Sequence, residues 1–77
     1  MVSEGGLIIR IWRLYEVIET FTNAIELDPK LAVAYNNRGY TYKNLGNYKQ
    51  AIRNFKIAAR LGHKDAQDYL REEGISR

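Results

Sequence analysis

A self-repeat at a spacing of 34 residues constrains this chain more than any other feature. Between residues 18–35 and 52–69, seven aligned positions are identical: Ile18/Ile52, Phe21/Phe55, Ala24/Ala58, Leu27/Leu61, Lys30/Lys64, Ala32/Ala66 and Tyr35/Tyr69. Chance would give roughly one. A period of this length implies stacked supersecondary units, none of which buries its apolar face alone. The expected role is therefore binding and assembly, not catalysis.

The 77 residues are enough for one domain with a thin core. There is no cysteine, hence no disulfide or thiolate metal site, which fits a reducing, cytoplasmic setting. Residues 7–14 are apolar but are interrupted by Arg10 and Arg13. They are too short to span a bilayer, so no membrane association is expected. Charge is segregated along the chain. Residues 1–28 hold two bases and five acids, residues 29–64 eight bases and no acid, and residues 65–77 two bases and four acids.

Periodicity yields an all-α reading. A flexible stretch, residues 1–6, precedes a helix over 7–28, which lacks interior Pro and Gly and repeats apolar residues from Ile8 to Ile25. A helical pair occupies 30–62. Its first helix, Lys30 to Leu45, has Asp28-Pro29 as its start signal and Gly46-Asn47 as its stop. Its second, Tyr48 to Arg60, turns Tyr48, Ala51, Ile52, Phe55, Ala58 and Ala59 inward and closes at Leu61-Gly62. A capping helix and tail fill 65–77, with Asp65 as the cap and Ala66, Tyr69 and Leu70 on one face.

Residues 32–65 resemble a tetratricopeptide repeat. The family motif is met by Tyr35, Gly39, Tyr42, Gly46, Tyr48, Ala51, Phe55 and Ala58, with His63 where the motif has Pro. Phe21, Ala24 and Asp28-Pro29 end a preceding unit in phase. The resemblance implies a helix-turn-helix superhelix fragment and a protein–protein interaction scaffold. It also implies that Gly39 and Ala51 are small because the two helices of the unit cross closely there.

The period fails at one place. The turn Leu45-Gly46-Asn47 aligns with Ile11-Trp12-Arg13, none of which favours a turn. One long helix is then expected in place of a hairpin, leaving Ile8, Ile9, Ile11, Trp12 and Tyr15 exposed as an interface. Repeat proteins of this kind need about three units for stability. A homo-oligomer, in the first instance a dimer formed by helix pairing or domain swapping, would supply the missing neighbours. The self-association residues are Ile8, Ile11, Trp12 and Tyr15.

The resemblance further implies a concave peptide-binding face along the first helix of each unit. Here that face offers Asn36, Asn37, Tyr40, Lys43 and Asn44, with Arg71 on the next helix. Asn37 and Arg71 match the Asn and Arg of a clamp that binds the acidic C-terminal tails of chaperones in some members; its Lys position holds Gln67. The alternative reading is a monomer that binds such tails or nucleic acid through its basic, Asn-rich surface. Lys49, Arg53, Lys56 and Arg60 form one stripe, read first as a solvated face complementary to Glu19 and Glu26 one period earlier. Nucleic acid is not the expected partner. No catalytic, metal-binding or cofactor-binding constellation is present, and His63 reads as a turn or capping residue.

Overall fold

The computed structural model describes the backbone of residues 4–75 and the side chains of residues 10–75. Among the described residues four helices follow one another: α1 (Glu4–Leu27), α2 (Ala32–Asn44), α3 (Tyr48–Arg60) and α4 (Lys64–Glu72). Each packs on the next, and short connections reverse the chain direction between neighbours. α1 passes through residues 11–13 without a break. No Pro or Gly interrupts it there, and Ile, Trp and Arg all tolerate helical backbone. At 24 residues it is about 36 Å long, close to the 40 Å longest dimension of the molecule. Its start at Glu4 takes in Gly5 and Gly6, ahead of the expected Leu7. The expected flexible residues 1–3, and residues 76–77 of the expected tail, lie outside the described residues.

The three later turns share one device. Gly46, Gly62 and Gly74 have φ of 81°, 96° and 69°. Each lets the following N–H reach back to the helix just ended: Asn47 to Tyr42 at 2.9 Å, His63 to Ala58 at 3.0 Å, Ile75 to Leu70 at 2.8 Å. Two of those following residues then cap the next helix. Asn47 Oδ1 accepts the Gln50 N–H, and His63 Nδ1 accepts the Ala66 N–H, both at 3.3 Å. His63 thus occupies the motif's Pro position as a cap.

Two expected caps are corrected. α2 has Leu31 at its N-cap, with no side-chain bond. The Asp28 carboxylate instead accepts from the Lys30 N–H at 3.1 Å, which fixes the Asp28-Pro29-Lys30 turn ahead of the helix. α4 begins one residue before Asp65, which lies in its first turn while His63 does the capping.

The core lies among the three later helices: Ala51, Phe55, Ala58, Ala59, Ala66 and Leu70, flanked by Tyr35, Tyr42, Tyr69 and Ile75. Tyr48, expected inward, is 59% exposed. Gly39 marks the close crossing of α2 and α3. A Cβ there would stand 3.0 Å from the Phe55 ring and 3.1 Å from the Ala51 carbonyl oxygen.

The junction of α1 with α2 is built differently. Ile18 is the one buried apolar side chain of α1 among the described residues. Half-buried Leu14, Phe21, Ala24 and Ile25 accompany it, and a polar chain also joins the helices. Arg38 Nη1 donates to Thr22 Oγ1 at 3.1 Å, Arg38 Nε donates to Asn54 Oδ1 at 2.7 Å, and Asn54 Nδ2 donates to the Gln50 carbonyl at 2.8 Å. Asn36 is buried at 6% exposure, and its Oδ1 has no hydrogen-bond partner. One period later the same position holds the fully buried Leu70. An orphaned buried acceptor costs about 1–3 kcal/mol. Asn36→Leu is therefore expected to stabilise the fold by about 1–2 kcal/mol and raise Tm by roughly 4–8 °C per kcal/mol. A thermal melt followed by circular dichroism checks this, and an unchanged or lower Tm would contradict it.

Candidate functional site: two exposed helix faces

The first surface is the N-terminal half of α1. Among the described residues of this half, several large apolar side chains stay in water. Trp12 is 65% and Tyr15 54% exposed, with Ile11 exposed beside them. Ile11 and Tyr15 are one turn apart with Trp12 between, so the three form a continuous patch. Large aromatics left out of a small domain's core mark an interaction surface. The side chains of Ile8 and Ile9 lie outside the described residues.

The second surface runs along α2 toward α4. Tyr40 is partly exposed and packs its ring edge-on to Phe55, centroids 5.1 Å apart, and tilted to Tyr69 at 6.4 Å. Lys43 Nζ lies 4.9 Å from the Tyr69 ring centroid and 5.9 Å from that of Tyr40. Aromatic faces thus hold a half-buried ammonium in place, which is a fixed cation for a carboxylate. Asn37 is half-buried, and its backbone carbonyl accepts the Thr41 hydroxyl at 2.9 Å. Asn44 is exposed.

Asn36 is a correction to the expected open face. Its burial turns it into the fold, where no ligand meets it. Arg71 is exposed and paired with Asp68 one turn earlier at 2.6 Å. Gln67, at the clamp's Lys position, donates from Nε2 to the Ala59 carbonyl at 3.0 Å and ties α4 to α3. The expected face thus brings Tyr40 and Lys43 together, while Arg71 is engaged within its own helix.

Sequence reasoning missed the Thr22–Arg38–Asn54 link. A signal for it existed: Asn54 stands between Ala51 and Ala58 on the inward stripe of α3, and a polar residue there needs a partner. The basic stripe of α3 is present as expected. Lys49, Ile52, Arg53 and Lys56 line a shallow groove. The complementary acids Glu19 and Glu26 do not reach it, since Arg71–Asp68 is the one salt bridge among the described residues.

A family model described as Tetratricopeptide repeat matches residues 20–53, one 34-residue period that begins in α1 and ends in α3. No solved structure matches the chain. No helix among the described residues is long and apolar enough to cross a membrane.

Proposed function

The chain carries a tetratricopeptide repeat, and from that premise we propose that it is a protein–protein interaction module that self-associates through the exposed face of α1. The observation that supports this most is the exposure of Trp12 and Tyr15 on α1. A second copy would supply the neighbour that one full repeat with its flanking helices lacks. No catalytic step is part of this reading. Cytoplasmic residence belongs to it, in keeping with the cysteine-free sequence.

A peptide ligand on α2 is the second element. Lys43, held over Tyr69 and Tyr40, favours an acidic residue, and Asn37 and Asn44 offer amides to an extended backbone. The chaperone-tail clamp is the weaker form of this idea, because Gln67 and Arg71 already have partners within the chain. Binding of nucleic acid to the basic stripe is weaker still, because base stacking needs exposed aromatics among the cations, and that groove is lined by Lys49, Ile52, Arg53 and Lys56.

Trp12→Arg tests the self-association. It removes the largest exposed aromatic and places a charge in the contact, an expected loss of at least about 2 kcal/mol, or roughly 30-fold in Kd. Sedimentation should give a lighter species than wild type at the same concentration, with an unchanged helical spectrum. An unchanged mass would place any contact elsewhere.

A further inference from the structure

Two helices one period apart carry opposite charge at equivalent positions. Glu19 and Glu26 on α1 align with Arg53 and Arg60 on α3. All four are exposed, and no salt bridge joins them. The reason is directional. α1 joins α2, and α2 joins α3, through connections of four and three residues. The chain reverses at each, so α1 and α3 run the same way. Equivalent residues then face one side of the stack, beside each other and not toward each other. On α1 that side continues through Tyr15 and Trp12 at helical spacing, both exposed. On α3 it continues through Lys49 and Lys56 around the half-buried Ile52.

We infer that this side is the contact with a second copy, α1 of each molecule lying on α3 of the other about a twofold axis parallel to the helices. The inference rests on the self-association proposed above and adds its orientation. Rotation about such an axis exchanges left and right and keeps helix direction, so an acidic α1 meets a basic α3 twice. An axis running across the helices would lay α1 on α1 and α3 on α3, setting glutamates against glutamates and four bases against four. Like charges brought together disfavour that pairing, and complementary ones steer the first. The favoured arrangement also sets Tyr15 at the level of Lys49, an aromatic ring under an ammonium. A phosphate-bearing partner fits this side less well, because Glu19 and Glu26 occupy half of it.

Charge reversal tests the orientation, with mass read by sedimentation at low salt. Glu19→Lys/Glu26→Lys makes both helices basic, and Arg53→Glu/Arg60→Glu sets two acids of α3 opposite the acids of α1, with Lys49 and Lys56 retained. Each variant alone should be monomeric, with at least a tenfold weaker association than wild type. An equimolar mixture should recover the wild-type mass, as should the chain carrying all four substitutions, which also guards against misfolding. If wild type associates and the reversals leave its mass unchanged, the orientation is wrong while the apolar contact stands. If wild type itself is monomeric, the self-association falls and the orientation with it. Retention of an oligonucleotide that Arg53→Glu/Arg60→Glu abolishes, with no change in mass, would assign the basic side to nucleic acid and overturn the inference.

Discussion

Phe55→Ala should unfold most of this protein at ambient temperature. Phe55 is fully buried at the centre of the core. Its ring meets Tyr69 at 4.5 Å and Tyr40 at 5.1 Å between centroids and roofs the Gly39 crossing. Phe→Ala in a core costs about 3–5 kcal/mol in lost transfer and residual cavity. Domains carry only about 0.05–0.15 kcal/mol of stability per residue, so this single change removes a large part of the total. The aromatic cluster that holds Lys43 would go with it. The expected result is a strong loss of helical circular dichroism and of a cooperative melt. Tyr48→Ala, at an exposed position two turns earlier on the same helix, should shift stability by only about 0.5 kcal/mol. Comparable melts for the two variants would contradict the placement of the core.

Gly39→Val should be nearly as damaging, for the opposite reason. Phe55→Ala empties space, whereas Gly39→Val fills space that does not exist. Even one added carbon would stand 3.0 Å from two Phe55 ring atoms and 3.1 Å from the Ala51 carbonyl oxygen. That oxygen belongs to the backbone of α3, and the ring is enclosed on every side, so neither yields without moving a helix. Overpacking costs about 1–3 kcal/mol and occasionally more, and the second branch of Val pushes the cost to the upper end. Gly39→Ala separates sterics from propensity. It gains up to about 1 kcal/mol of helix preference against the same first contact, so it should cost less than Gly39→Val in a denaturant titration. Equal tolerance of all three residues would mean that α2 and α3 cross farther apart than the structure has them.

These two positions also show what the sequence makes legible. Gly39, Ala51, Phe55 and Ala58 are spaced so that small residues face large ones across a helix crossing, and the structure has them there. The continuity of α1 follows from the absence of turn formers at residues 11–13. Helix ends marked by glycine fall where positive φ is needed. Polar residues are where reading by type failed. The resemblance places Asn36 on the open face, yet its position one period before Leu70 is an interior one. Asp28 was expected to cap α2, yet its carboxylate is satisfied two residues on, before the helix begins. Arg38 gave no sign of bridging three helices, because its partners lie 16 residues away in both directions. Such long-range polar pairings depend on how the helices cross, which hydrophobic periodicity does not specify.

The proposed α1 contact would account for Trp12 and Tyr15 lying in water. The core gathers in α2, α3 and α4, and α1 adds the buried Ile18 and a polar link while Ile11, Trp12 and Tyr15 stay exposed. A second copy is the partner that the charge layout favours.

The most direct measurement is the solution mass of the wild-type chain across a micromolar concentration series. The account predicts a mass that rises above the 9.0 kDa of one chain toward twice that value as concentration increases. A constant 9.0 kDa throughout the series would contradict it.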